Sequence, residues 1–258
     1  MIRTLLLVTG FGTAIALVCL TAAASIAGHD ISDGYSLSFS ENDNHFGVRK
    51  DEAVKPEPVE TRTLAWAGGE VLTISAPVEV VYTQGPTVSV TATGPKSLVE
   101  RLTLENGRLS LKDGPGVVKT ISLKLNGHGL DIDGGDDSIR VTITAPSVKQ
   151  FEVAGTGDLT IHGYDQPKLD LRVSGAGEVE AFGRTDALEL DISGNGDANL
   201  EALKAVDADI SISGAGDADI SATGKVAVDV SGMGDVTLKT KAASVSTDIS
   251  GAGEVHQE

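Results

Sequence analysis

Cysteine is nearly missing from this chain of 258 residues; the one present is Cys19. No internal disulfide can form, so the fold must be held by packing and hydrogen bonding even in an oxidising compartment. Aromatic residues are scarce as well, at 3%. Few rings and 31 glycines argue for thin layers joined by tight turns rather than a thick core. Positive charge is the third shortage. Lys and Arg total 20 against 37 Asp and Glu, a formal net charge of -17. Such a chain is repelled by phosphate backbones and anionic bilayers, which sets nucleic acid aside as a partner. Clustered metal ligands are lacking too: His29, His45, His128, His162 and His256 are scattered without ligand spacing. No Gly-x-Ser-x-Gly elbow occurs, and the Gly-x-Gly units lack the following helix that a phosphate loop needs.

The first 27 residues have the pattern of a secretory signal. Arg3 supplies the positive end, Leu5 to Leu20 the apolar run, and Ala22-Ala23-Ala24 or Ser25-Ile26-Ala27 a small-residue cleavage site. An uncleaved anchor is the alternative, because the apolar run is nearly long enough to span a bilayer. It would be the only membrane attachment. Cys19 follows Leu17 and Val18, large residues where a lipoprotein signal calls for a small one. Export is therefore expected, to the periplasm, the cell surface or the medium. Residues 28–62, with Glu41-Asn42-Asp43-Asn44 and Lys55-Pro56-Glu57-Pro58, are expected to be a flexible linker with room for a short strand.

What is present is a repeat. Gly-x-Gly followed by an acid occurs at Gly155 to Asp158, Gly175 to Glu178, Gly194 to Asp197, Gly214 to Asp217, Gly232 to Asp235 and Gly251 to Glu254. Successive first glycines are 20, 19, 20, 18 and 19 residues apart. Serine precedes five of the six units, from Ser174 to Ser250. Between units the apolar period is two, as in Leu169/Leu171/Val173, Leu188/Leu190/Ile192 and Ala208/Ile210/Ile212, with acids, Thr and Ser on the alternate positions. A helix is excluded by this period and by the glycine pairs. Stacked by repeat, the apolar positions form inward columns. The expected fold is all-β: a parallel β-helix or β-solenoid with rungs of about 19 residues over 151–258. Glycine at the corner is expected both because it takes positive φ at no steric cost and because it lets successive rungs stack closely. Gly163, Gly183 and Gly224 mark a looser second corner.

Ahead of the repeats, residues 63–150 alternate less regularly, with turns at Gly85-Pro86, Asn106-Gly107 and Ala145-Pro146. They predict an irregular β entry region that shields the first rung from edge pairing. Residues 114 to 135 predict a loop with one strand near Ile121 to Leu125.

The corner acids Asp158, Glu178, Asp197, Asp217, Asp235 and Glu254 should stack in one column. Two readings stand: a calcium ladder, or carboxylates accepting from corner backbone amides, as Asp does in turns. Calcium-binding β-rolls use a shorter nonapeptide repeat, so calcium is the only cofactor in view and its match is partial. Asp191, Asp209, Asp229 and Asp248 fall on outward strand positions. They read as a solvated acidic face or as a carboxylate pair of a polysaccharide-active enzyme, for which the exposed aromatic platform of a sugar cleft is missing.

Ala76-Pro77-Val78-Glu79-Val80, Gln84-Gly85 and Leu109-Ser110-Leu111, then Val141 to Pro146, Phe151 to Asp158 and the serial Ser-Gly-x-Gly-acid units, together resemble the bacterial envelope family named putative autotransporter adhesin, head GIN domain. The resemblance spans about Leu64 to Val255. It implies a β-helix-like exported protein and supplies no catalytic residues. After Met233 there is no run of membrane-barrel strands, so self-translocation is not expected. The expected function is a non-catalytic envelope or surface module binding a carbohydrate or protein. The alternatives are a periplasmic scaffold self-associating through strand edges as a homo-oligomer, and a polysaccharide-active β-helix enzyme.

Overall fold

The computed structural model describes residues 35–40, 45–50, 57–113, 118–126, 129–134 and 138–258. The expected leader and Cys19 lie outside them. The chain divides into two compact units. In the smaller, β1 (Tyr35–Ser40), β2 (His45–Lys50), β9 (Val118–Asn126) and β10 (Gly129–Gly134) form an antiparallel sheet in the order β10-β9-β1-β2. Two strands thus occupy the Gly- and Asp-rich stretch for which one was expected. β1 and β2 fall inside the segment read as a linker, as does all but the last residue of β3 (Val59–Thr63) of the larger unit. Short antiparallel strands are held by cross-strand backbone bonds and need no long apolar alternation to announce them.

The larger unit is the solenoid. β4 (Val71–Ile74) leads through a corner into β5 (Glu79–Gln84), and later β11 (Arg140–Ala145) and β12 (Gln150–Val153) resume the winding. β13 (Asp158–Val173), β14 (Val179–Ile192) and β15 (Ala198–Ile212) each run along one ladder, bend, and return along the other. β16 (Ala218–Ala222) and β17 (Lys225–Val230) divide the same path, and β18 (Val236–Leu238), β19 (Ser244–Ile249) and β20 (Val255–Gln257) continue it. Ladder A, after the Gly-x-Gly corner, pairs β5, the first parts of β13 to β15, β16, β18 and β20 in parallel. Ladder B, before that corner, pairs β4, β12, the second parts of β13 to β15, β17 and β19 in parallel.

Period-two alternation puts one residue in two between the ladders. The register aligns Leu72, Phe151, Leu171, Leu190, Ile210 and Val228 in one column of ladder B, and all six are buried. Tyr82 and Ile161 are paired at the corresponding depth of ladder A, as are Leu200, Ile220 and Leu238 further along. Burying each such side chain contributes about 1.5–3 kcal/mol. On β19 the ladder B positions surface, and Val245 and Ile249 are 39% and 42% exposed, because among the described residues no further rung stacks on them. Three rings pack together in the core. Phe151 meets Tyr82 edge to face at 4.9 Å and Tyr164 at 6.5 Å. Both phenols donate to backbone carbonyls, Tyr82 to Ala145 at 2.7 Å and Tyr164 to Lys168 at 2.6 Å. Burial pushes both phenols above their ordinary pKa.

Antiparallel pairs finish the N-terminal end of both ladders. β6 (Ser89–Pro95) pairs with β3 and β11, while β7 (Leu102–Glu105) and β8 (Arg108–Leu111) form a hairpin whose β8 continues ladder B onto β4. The hairpin turns through Asn106 and Gly107 at φ 50° and 78°, the left-handed conformation that two-residue hairpins favour. A short helix, α1 (Lys96–Val99), links β6 to β7, and Arg62 donates to the carbonyls of Val99, Glu100 and Leu102 just beyond it.

The corner explains the repeat. Its glycines are not among the positive-φ residues, so that part of the sequence expectation is corrected: close stacking alone demands them. A Cβ on Gly175, Gly194, Gly214, Gly232 or Gly251 would lie closer than 3.0 Å to the carbonyl oxygen of the first glycine one rung back. The second glycines meet the same obstacle. The middle residue of each corner after the first donates its N–H to that carbonyl, as in Ala176 to Gly155 at 2.8 Å and Ala215 to Gly194 at 3.0 Å. Gly155 differs: a Cβ there meets nothing within 4 Å, because the corner before it is Ala76-Pro77. Gly214→Ala should therefore lower stability by about 1–3 kcal/mol, the usual cost of overpacking, while Gly155→Ala should change it by less than ~0.5 kcal/mol. Thermal melts of the two variants check this; equal losses would mean that stacking distance is not what selects glycine.

Candidate functional site

Three surfaces arise from this winding. The first is the corner edge. The side chains of Asp158, Asp197, Asp217 and Asp235 each accept the backbone N–H of the acid on the next rung, at 3.1, 2.9, 2.8 and 2.8 Å. The donors are Glu178, Asp217, Asp235 and Glu254. Glu178, one methylene longer, makes no such bond to Asp197. The column is thus a chain of charge-assisted hydrogen bonds that holds each carboxylate against the backbone of its neighbour. Each bonded oxygen faces an amide rather than a shared central point. Among the described residues no group of three or more His, Cys, Asp or Glu side chains converges on a position that could hold a metal ion.

The second surface is the outward side of ladder B. Asp191, Asp209, Asp229 and Asp248 are exposed there, but the register separates them. Asp191, Ser211, Asp229 and Asp248 share one column, whereas Asp209 lies in the next with Glu189 and Ala227. Asp229 and Asp248 are direct neighbours across parallel strands, where like charges repel. Asp209 borders a shallow depression of about 400 Å3 with Lys225 and Ser246. Nearer the N-terminal end Lys168 pairs with Glu189 at 2.6 Å and Arg172 with Asp170 at 3.1 Å.

The third surface was not visible in the sequence. Opposite the Gly-x-Gly corner each rung bends, and the register slips between Ile161 and Tyr164, between Glu180 and Gly183, and between Leu200 and Lys204. Gly163 and Gly183 take positive φ there, 64° and 142°, which a Cβ would disfavour. After the slip, Asp165, Arg184, Lys204 and Ser221 align across four rungs. They line an open groove of about 680 Å3 that continues to Thr240 on a fifth. Pro167, Ala205 and Val206 add apolar wall, with Val206 47% exposed, and Thr185, Thr223 and Thr240 add hydroxyls.

Local bonds hold the groove in shape. Gln84 brackets the backbone of Asp165, accepting its N–H at 2.9 Å and donating to its carbonyl at 3.2 Å. The Arg184 guanidinium grips the Asp165 carboxylate through Nε and Nη2, both at 2.7 Å. That fork holds the Asp165 carboxyl below the usual range. Among the described residues Lys204 has no ion-pair partner. Beside the bend, His162 stacks on Phe182 at 5.1 Å and 25°, a partly exposed aromatic pair that alternation alone could not reveal. His256 lies away on β20.

Comparison with known proteins bears on these surfaces. Residues 70–242 match the family model described as "Putative auto-transporter adhesin, head GIN domain". A crystal structure of a putative adhesin from Bacteroides fragilis superposes with a TM-score of 0.61 at 19% identity, covering 80% of this chain and all of that one. A putative adhesin from Parabacteroides merdae aligns at 16% identity with a TM-score of 0.45 over 78% of this chain and 96% of its own. A putative lipid binding protein from Parabacteroides distasonis aligns at 15% with a TM-score of 0.41, over 78% and 96%. At such identities the first likeness concerns the fold, and the latter two add nothing further. No curated protein matches the chain.

The corner column has its own test. Asp217→Asn keeps an oxygen to accept the Asp235 N–H and removes one repulsive charge, so it should melt within a degree or two of the parent. Asp217→Ala removes the acceptor and should cost ~1 kcal/mol. If the two variants were equally destabilised at low salt and less so at high salt, the carboxylate charge, rather than its backbone bond, would be the stabilising feature.

Proposed function

The chain belongs to the putative auto-transporter adhesin, head GIN domain family, and from that premise we propose that it is an exported, non-catalytic interaction module of the cell envelope. It acts by attachment, presenting a solenoid surface to a carbohydrate or protein of the envelope or of another surface. The observation that carries this reading is the bonded stack itself. Every rung from Gly155 to Gly251 is tied to the next through its corner, so the exposed residues of successive rungs stand at fixed spacing without needing a ligand to order them. Preorganised arrays of donors and acceptors suit binding, because little conformational entropy is lost on contact. Among the described residues no acid is buried, and no buried acid and base converge on one point as hydrolysis would require.

External protease on intact cells, with fractionation of the medium and a periplasmic control, tests the location. Digestion from outside, or recovery in the medium, is the expected outcome, together with reduced attachment of cells lacking the gene. Protection until the outer membrane is opened would overturn a role outside the cell and leave a periplasmic one. The exposed Val245 and Ile249 of β19 favour a second reading, a scaffold that self-associates through strand edges. It predicts a concentration-dependent oligomer that Ile249→Lys dissolves.

A further inference from the structure

We infer that the groove along the bend side of the solenoid is a binding site for an extended, uncharged polysaccharide strand. This rests on the attachment reading above and names its ligand class.

Direction comes first. The groove does not lie along a strand but crosses five successive rungs, from Asp165 to Thr240. Four rung spacings of roughly 4.8 Å give it a length of about 19 Å. It is open along its run, so a polymer can pass through it rather than end in it. Rung spacing is close to the advance of an extended pyranose chain per residue. Successive sugars therefore meet chemically similar positions of successive rungs, and a periodic protein is matched by a periodic ligand.

The lining supplies the second argument. Polar groups of both kinds alternate with apolar wall, as sugars require, because each hydroxyl both donates and accepts while the C–H faces of the ring are apolar. Lys204 and Arg184 donate, Asp165 and Asp186 accept, Thr223 does both, and Thr240, whose proton goes to the Ala222 carbonyl, accepts. Val206 offers exposed apolar area in their midst. Two acids balance two bases within the groove, whereas the whole chain carries -17. That local neutrality favours an uncharged ligand. An acidic polymer would face Asp165, Asp186 and the surrounding field, and a nucleic acid still more so. An extended peptide is less well served, since the ladders beneath the groove are already paired and offer no strand edge.

The third argument concerns preorganisation. Arg184 is anchored on Asp165 by two bonds, and Gln84 fixes the backbone of Asp165 from β5. The Thr240 hydroxyl is held by the carbonyl of Ala222 at 2.9 Å. Lys204 has no ion-pair partner among the described residues, and its position on the central rung lets it reach a ligand hydroxyl or ring oxygen.

The test uses the full chain and defined probes: linear β-1,4 hexasaccharides of glucose, xylose and N-acetylglucosamine, with polygalacturonate hexamer as the acidic comparison. Titration calorimetry measures binding. Val206→Arg, which blocks the groove from an exposed position, and Lys204→Ala are compared with Ala215→Arg on the opposite corner edge. Circular dichroism and melting confirm that each variant folds. Saturable binding of at least one neutral hexasaccharide is expected, weakened at least about tenfold by Val206→Arg, several-fold by Lys204→Ala, and unchanged by Ala215→Arg. Three results would overturn the proposal: no neutral hexasaccharide binds, the acidic hexamer alone binds, or the corner variant removes binding while the groove variants do not. Attachment of cells carrying each variant separates the two claims. If attachment persists in Val206→Arg, the module still adheres and the groove is not its contact surface.

Discussion

Backbone-to-backbone contact at the Gly-x-Gly corner governs the rest of this molecule. Each rung can descend onto the one before only because no Cβ stands between the first glycine of one corner and the first-glycine carbonyl of the previous one. That approach brings the middle amide within hydrogen-bond distance of the same carbonyl, and it sets the inward columns of both ladders in register. The apolar residues contribute most of the free energy, but the corner decides the spacing at which they contribute it. With no cysteine among the described residues, this repeated contact takes over the cross-linking role that a disulfide plays in many exported proteins.

The two edges of the coil divide the labour. At the Gly-x-Gly corner, tolerance is small, the backbone is tightly stacked, and the Asp column bonds rung to rung along a straight line. At the opposite edge the rungs differ in length and the register slips, so bulky and charged residues are admitted and a groove opens between them. Irregularity at one edge is affordable because the other edge is uniform. The charges follow the same division: acids accumulate where backbone amides or solvent receive them, and the two groove cations stand where the register slip leaves space.

Much of the fold was legible in the sequence because a solenoid is nearly one-dimensional. Each rung touches its neighbours, so a 19-residue period in glycine and a two-residue period in Val, Leu and Ile carry the architecture directly. The inward columns from Leu159 to Leu238 could be read in this way, whereas for Asp158, Asp197, Asp217 and Asp235 the period allowed two readings, of which amide acceptance was one. The strand expected near Ile121 to Leu125 falls within β9; less legible were β2 and β10 and the pairing of β1 with β9, which joins residues some eighty positions apart. Asp191, Asp209, Asp229 and Asp248 looked equivalent by alternation, yet Asp209 falls in a different column, because it stands five residues before the first glycine of its corner and the other three stand three before theirs.

Chain order alone determined that this protein is an all-β repeat, where its corners lie, which face of each strand is buried, and that its surface is acidic. Those properties are local or periodic, and every one of them follows from spacing and side-chain chemistry. Only the tertiary structure decided which residues become neighbours at the bend. Asp165, Arg184, Lys204 and Ser221 are 17 to 20 residues apart and obey no motif; they align because bulges on three rungs absorb the unequal repeat lengths. A bulge is the compromise between rung length and the fixed geometry of the ladders on either side. Its position emerges only when all the rungs are stacked together.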